Sequence, residues 1–404
     1  MSGTFVSMLG IILYLLFAYA SLHSGSLAHD WILGTFSDFV YIMNTSLEES
    51  PYICEQSSYP PFAILILLPF ALICKKQFAL YSNVTLSVDE LTEKMLRTPE
   101  FWVAYLLFFF VTTVAILLLV IKKFELDRRS ALLVALLIPV SAPFIFAVMR
   151  GNTIYFALIF LLLFLLLKDS KSPVAREISY IALALAGAIK IYPLFFGVFL
   201  LAKKKFFASF RVAVYFFAIL FTSFFFFRSG INDFDIFIDN LGGFMSNDNR
   251  LLAGNNLSIS SIIYRISYLF SPALADSTAM SVITTVILAL IFTAATVLSL
   301  FTRSDLSRYT IAAAIVILIP PISYFYVLIF AILPMMEFIR GSDTIDKKKR
   351  ICYSIMFGFI MFTPALLPQY YIVHSLAIIT MLTWESVSVI KNELIPRKKF
   401  KAIN

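Results

Sequence analysis

Charge is what this chain has least of. Only 14% of its 404 residues are Asp, Glu, Lys or Arg, against about 25% in soluble globular proteins. That deficit excludes a soluble enzyme, a disordered chain and a coiled coil. Cysteine is scarce as well: Cys54, Cys74 and Cys352 are far apart, and none sits in a CxxC pair or a mixed Cys/His cluster. Neither a disulfide framework nor a structural zinc site is therefore expected. No fixed-period repeat or low-complexity tract is present, so solenoid and collagen-like architectures fall away too.

What is abundant is apolar. Hydrophobic residues make up 60% of the chain, aromatic residues 16%, and Phe alone occurs 43 times; the mean hydropathy is +0.91. Apolar runs of about 20 residues are long enough to span a bilayer. The expected fold is an all-α polytopic membrane protein, a single transmembrane domain over 1–404 with about twelve spans. The first, Phe5 to Leu22, lacks a basic leader and is expected to be a retained helix, not a cleaved signal. The others fall at 100–121, 130–149, 152–167, 177–190, 193–202, 206–227, 278–302, 309–323, 324–339, 351–367 and 370–390.

The formal charge of +8 does not indicate nucleic acid, because the cations lie in short clusters between apolar runs. Lys122, Lys123, Arg128 and Arg129 form one cluster, Lys203, Lys204, Lys205 and Arg211 another, and Lys347, Lys348, Lys349 and Arg350 a third. Threading the spans alternately puts these on one side with most of the other Lys and Arg, and that side is cytoplasmic by the positive-inside rule. The stretch 60–74 breaks the alternation if counted as a crossing. At about 15 residues, with Pro60, Pro61 and Pro69, it suits a re-entrant or interfacial helix. Both termini are then cytoplasmic; thirteen spans with an external N-terminus is the alternative. The membrane expected is a bacterial inner membrane.

This threading leaves loops 23–59 and 228–258 outside, with tight corners at 150–152, 190–193, 320–324 and 364–370. Asp38 lies among apolar side chains in Ser37-Asp38-Phe39-Val40-Tyr41. A half-buried carboxylate can act as a general base toward a hydroxyl, or it can simply cap a helix. Lys190 ends an apolar run just before Ile191-Tyr192-Pro193, where it either meets an anion such as a lipid phosphate or snorkels to the interface. Arg150 can hold a phosphate bidentately or neutralise its own helix end, and Gly151 permits the turn. Asn256 and Ser258 offer hydrogen bonds to sugar hydroxyls, or Ser258 caps the next helix. His374 is a ligand contact or a packing residue.

Taken in order, these fragments resemble the polyprenyl-phosphate-sugar-dependent glycosyltransferases of family 87, in the GT-C superfamily. The resemblance rests on Ser37-Asp38-Phe39-Val40-Tyr41, on Tyr59-Pro60-Pro61 with Pro69, and on Arg150-Gly151-Asn152. It continues through Ala188-Ile189-Lys190-Ile191-Tyr192-Pro193-Leu194, Asn256-Leu257-Ser258 with Arg265, and Pro320-Pro321-Ile322-Ser323. It implies a GT-C-type helix bundle that transfers a mannose-like sugar, with inversion, from a polyprenyl-monophosphate donor to a lipid- or glycan-linked acceptor. No metal and no cofactor are implied. Asp38 is the implied base, Lys190 the implied phosphate contact, with Arg150 or Arg265 beside it. Tyr59, Asn152, Tyr192, Asn256 and Ser258 are assigned to the sugar or the acceptor. Family members often carry a His after the late Pro-rich corner, where this chain has Tyr324 and Tyr326; these, or His374, are expected in its place. The rival classes are a polymerase or ligase using diphosphate-linked glycans, and a multi-span transporter, whose ionisable residues belong at the midplane instead of one face.

Overall fold

The computed structural model describes residues 36–82, 84, 86–245, 248–253, 255–341, 345–362 and 370–394. The expected first span, most of the 364–370 corner and both termini lie outside the described residues. Among the described residues the chain is helical, with no β-structure beyond one isolated antiparallel bridge between Asn256 and Tyr324. They form two compact units, one drawn from residues up to Leu194 with 210–245 and the other from 195–209 with residues from 248 onward.

In the first unit, α1 (Ser37–Leu47) buries Phe39, Val40, Ile42 and Met43. Next come α2 (Pro61–Leu65) and α3 (Leu68–Ile73), with Pro in the first turn of each, where a missing N–H is tolerated. The expected short segment at 60–74 is thus two short helices interrupted at 66–67. The long helix α4 (Pro99–Lys123) carries Lys122 and Lys123 in its last turn, where they complement the helix dipole. Helix α5 (Arg128–Leu137) is capped by Asp127, which accepts from the backbone N–H groups of Arg129 and Ser130. It is followed at a 53° bend by α6 (Ala142–Arg150); Pro139 and Pro143 flank the break, where each removes a backbone donor. Helices α7 (Ile154–Leu167) and α8 (Pro173–Ile189) pack closely on one another, and α7 on α4. The part of α9 (Phe206–Phe224) from residue 210, and α10 (Asp233–Met245), complete the unit.

The second unit contains α11 (Ile259–Phe270), α12 (Thr278–Phe301), α13 (Asp305–Leu318), a 3-10 turn at Phe325–Ala331, α14 (Ile332–Gly341), α15 (Lys347–Phe362) and α16 (Tyr370–Val389). Helix α13 is buried from Leu306 to Leu318 and packs against α12, α14 and α16. Ser307 from α13 and Tyr353 from α15 both hydrogen-bond the fully buried Glu385, which also pairs with Lys349 at 2.7 Å. A buried carboxylate is tolerable only with this degree of satisfaction.

Helices α4, α9, α12 and the stretch Ile372–Leu394 are long and apolar enough to cross a membrane, and the bent α5–α6 pair makes a fifth candidate. Their outward faces support the assignment. Helix α12 exposes Val282, Ile283, Val286, Leu290 and Phe292, and α9 exposes Phe207, Phe210, Val214, Phe217 and Phe221. Apolar surface on this scale is stable against lipid and not against water. The chain is therefore a helical membrane protein with four to five spans of full length among the described residues. Several other expected spans are shorter than their apolar runs: α7 has 14 residues, about 21 Å at 1.5 Å per residue. The runs at 193–202 and 324–339 begin as 3-10 turns, at Tyr192–Gly197 and Phe325–Ala331.

Candidate active site

The first unit brings three chain segments to one carboxylate. Asp38 is the second residue of α1, and Phe36 occupies the cap position, so Asp38 is not the cap. Its carboxylate faces α6 instead. Arg150 Nε donates to Oδ2 at 3.0 Å, Arg150 Nη2 to Oδ1 at 2.5 Å, and Asn152 Nδ2 to Oδ2 at 2.8 Å. This is a bidentate arginine–carboxylate pair, the geometry that fixes a carboxylate most firmly. Neither reading of Arg150 drawn from the sequence describes this contact: the guanidinium lies on Asp38.

Local backbone chemistry aims these side chains. Helix α6 stops at Gly151, whose φ is +62°, and the N–H groups of Gly151 and Asn152 return to the carbonyls of Val148 and Ala147. That is the glycine-terminated helix end in which the left-handed residue closes the open carbonyls. The Arg150 side chain is consequently not needed there. Asn152 Oδ1 accepts from the Ile154 N–H at 3.0 Å, which fixes the amide orientation and leaves Nδ2 for Asp38. Tyr105 of α4 donates to the Val148 carbonyl, and Tyr155 of α7 donates to that of Phe144 at 2.6 Å. The first ties the last turn of α6, and the second its first turn, to neighbouring helices. No larger residue fits at 151, because a Cβ there would sit 2.4 Å from the Phe39 Cβ.

Lys190 follows α8 in extended conformation. Its Nζ stands 4.3 Å from the centre of the Tyr59 ring, a cation–π contact, and the charges of Asp38 and Arg150 act on it. Gly187 allows the chain to turn back one turn earlier, since a Cβ there would meet Leu194 at 2.5 Å. Tyr192 opens the 3-10 turn that follows.

Beyond Asp38, α1 carries two residues to which the sequence reading assigned no role, Tyr41 of the quoted motif and Asn44. Tyr41 donates to the Glu55 carbonyl at 3.1 Å, and Asn44 Nδ2 donates to Glu55 Oε1 at 3.1 Å. Burial holds the Glu55 carboxyl above the ordinary glutamate value, and the Glu48 charge adds to the effect. The 51–59 segment is pinned from behind. Tyr52 is buried among Ile64, Phe224, Phe227 and Phe237, and Asn240 of α10 donates to the carbonyls of Tyr52 and Ser57. Nearby, both carboxylate oxygens of the buried Asp233 are enclosed, and burial raises its carboxyl as well. A period-three stripe at 38, 41 and 44 was available in the sequence; the pairing with Glu55 was not.

The remaining sequence candidates lie in the second unit, where they form a hydrogen-bonded corner. Asn256 Oδ1 accepts from the backbone N–H groups of Ser258 and Ser323, each at 3.1 Å, while its Nδ2 donates to the carbonyls of Arg250 at 3.1 Å and Pro321 at 3.2 Å. Both lone pairs and both N–H groups are engaged. Ser258 caps α11 by accepting from the Ser261 N–H at 3.0 Å, and its hydroxyl donates to the Pro321 carbonyl at 2.7 Å. Arg265 Nη2 donates to the carbonyls of Leu252 at 2.5 Å and Ala253 at 2.7 Å. These three residues hold backbone. The Tyr324 and Tyr326 rings lie 6.1 Å apart, and the buried His374 packs edge-on to Phe325 at 4.8 Å.

The sequence profile of glycosyltransferase family 87 matches residues 58–321. Tyr59, Arg150, Asn152, Lys190, Tyr192, Asn256, Ser258 and Arg265 fall inside that span, while Asp38, Tyr324, Tyr326 and His374 fall outside it. No curated protein matches the chain. A match over well more than half of a helical membrane chain, containing the corners that clamp Asp38, establishes that the chain belongs to glycosyltransferase family 87.

Proposed function

We propose that the protein transfers a sugar from a polyprenyl-monophosphate donor to a hydroxyl of a lipid- or glycan-linked acceptor, with inversion, on the external face of the membrane. Asp38 is the general base. The observation that carries this reading is the Asp38 carboxylate, held by Arg150 and Asn152, with the Lys190 ammonium acting on the same group of charges. In this scheme Lys190 binds the donor phosphate and Asp38 takes the acceptor proton. Among the contacts of the described residues, Oδ2 accepts twice and Oδ1 once, so the second acceptor position of Oδ1 is where the hydroxyl docks. The hydroxyl oxygen attacks the anomeric carbon, the bond to phosphate breaks, and the proton passes to Oδ1. At an oxocarbenium-like centre the hydroxyl becomes acidic as its bond to carbon forms, and a carboxylate within hydrogen-bond reach receives the proton. Lys190 stabilises the charge growing on the leaving phosphate and so acts in the transition state as well as in binding. Arg150 and Asn152 are positioning residues.

The same proposal places the cation clusters on the cytoplasmic side of a bacterial inner membrane, with about twelve spans and both termini inside. The test is transfer by the purified protein in nanodiscs, supplied with a panel of polyprenyl-monophosphate sugars and a membrane-lipid acceptor mixture. One donor should turn over, and Asp38→Asn should lower kcat about 10²- to 10⁴-fold, the usual worth of a general base. Full turnover by the variant would remove Asp38 from the mechanism. Silence across the panel, with use of a diphosphate-linked glycan, would overturn the choice of donor.

A further inference from the structure

The half-buried positions of α1 are not confined to Asp38. From Ser37 to Ser46 the helix is buried except at Asp38, Tyr41 and Asn44. Successive members of this stripe are three residues apart, close enough to touch along a helix. Asp38 and Asn44, at its ends, are separated by six residues, about 9 Å of rise. A hydroxyl within hydrogen-bond distance of Asp38 is therefore out of reach of Asn44. The far end of the stripe is completed by Glu55, whose Oε1 accepts from Asn44 and whose carbonyl accepts from Tyr41. The Tyr41 ring lies 6.2 Å from that of Tyr59, which itself lies under Lys190. The stripe is thus continuous with the proposed reaction centre.

The support behind Glu55 is built to hold it in place. Gln56, the next residue, has φ +47° although it is not glycine, a conformation that persists only where the surroundings enforce it. Tyr52 and Asn240 supply the enforcement. Tyr52 donates to the Tyr59 carbonyl at 3.2 Å, and Asn240 donates to the carbonyls of Tyr52 at 2.9 Å and Ser57 at 3.3 Å. A half-buried carboxylate beside an amide, flanked by tyrosine rings, is chemistry suited to a sugar ring. The carboxylate accepts from hydroxyls, the amide carbonyl does likewise, and the ring face meets C–H groups.

Resting on the transferase reading above, we infer that Tyr41, Asn44 and Glu55 bind a sugar unit of the acceptor other than the unit whose hydroxyl reacts. The acceptor is then a glycan or glycolipid with at least two sugar units, engaged at both ends of the α1 stripe. Glu55 is a specificity residue in this scheme and takes no part in proton transfer.

The test uses decyl glycosides bearing one or two hexose units, with binding to the full chain in nanodiscs measured by saturation-transfer NMR and by thermal shift. The wild type is expected to bind the best two-unit glycoside at least about ten-fold more tightly than its one-unit counterpart. Ten-fold is about the least that one charge-assisted hydrogen bond contributes, and its loss in Glu55→Gln should erase most of that preference. Gln retains an oxygen that accepts from Asn44, so a purely structural role for Glu55 predicts an unchanged preference and would overturn the inference. Asn44→Ala should lower it as well. Failure of every two-unit glycoside to bind better than its one-unit partner also overturns the inference. Loss of donor affinity in Glu55→Gln equal to the loss for the acceptor does the same. Failure of the transferase reading shows elsewhere, as turnover that survives Asp38→Asn. Conversely, an Asp38→Asn protein that is inactive yet keeps the two-unit preference supports both.

Discussion

Replacing Gly151 by Ala adds one methyl group at the point where two requirements meet. The residue has φ +62°, and a Cβ built there would lie 2.4 Å from the Phe39 Cβ. The backbone alone costs an L-residue roughly 1–2 kcal/mol. The contact is worse, because ordinary carbon contacts begin near 3.4 Å and Phe39 Cβ is one bond from the backbone of α1. No rotamer of Phe39 relieves the overlap; α1 has to move by about 1 Å, and Asp38 moves with it. Overpacking of this kind costs a further ~1–3 kcal/mol, so the total destabilisation is roughly 2–5 kcal/mol. A displacement of about 1 Å in a catalytic group lowers rate by about 10²-fold. The assay is transfer at saturating donor together with a thermal melt. Gly151→Asn is the control that separates the two terms, since Asn tolerates left-handed φ but carries the same Cβ. It should regain some stability and little turnover. Wild-type turnover in either variant would show that the close approach to Phe39 does not position the base.

Lys190→Ala should raise the donor KM about 10- to 100-fold, the range expected for losing a charge-assisted bond to phosphate, while the acceptor KM stays within about two-fold. An unchanged donor KM measured in the same nanodisc assay would make Lys190 an interfacial anchor only. Asp233→Asn should stabilise the protein at neutral pH, because burial raises the Asp233 carboxyl above its ordinary value. The sign follows from linkage: a raised carboxyl favours the folded state below the unfolded-state value and loses that contribution as pH rises through the folded-state value. The melting difference between variant and wild type should accordingly shrink as pH is lowered toward 4 or so. A difference that grows on acidification would contradict this.

The helices were legible because the apolar runs that make them are long relative to their polar breaks. Where a run was ambiguous, local chemistry decided the outcome. Pro139, Ser141 and Pro143 split one expected span into the bent α5–α6 pair, and Pro193 with the extended Lys190 replaced another with a 3-10 turn. Asp38, Arg150, Asn152 and Lys190 each drew attention singly, as polar residues in apolar surroundings. Their pairing did not. Asp38 and Arg150 are 112 positions apart, and nothing in residue type says whether an arginine at a helix end will meet carbonyls, phosphate or a distant carboxylate. Here Gly151 closes the carbonyls with backbone N–H groups, and that frees the guanidinium for Asp38. Ser258 was the opposite case, with cap and ligand alternatives both visible from spacing and the cap observed. Glu55 carried no local signal, since its partners lie on α1 and its orientation depends on Gln56.

The Asn256 corner has a kinetic consequence. The Ser323 N–H is held by the Asn256 side chain and the Leu257 N–H by the Ser323 carbonyl at 2.7 Å, while the Asn256 amide grips Arg250 and Pro321 at the same time. Neither strand of this corner can release its amide protons to solvent while the other stays closed. Segments about 65 residues apart in sequence therefore open as one event, and hydrogen exchange at Leu257 and Ser323 should run at a common rate, set by the joint opening of the Asn256 side-chain bonds and the Leu257–Ser323 backbone bond.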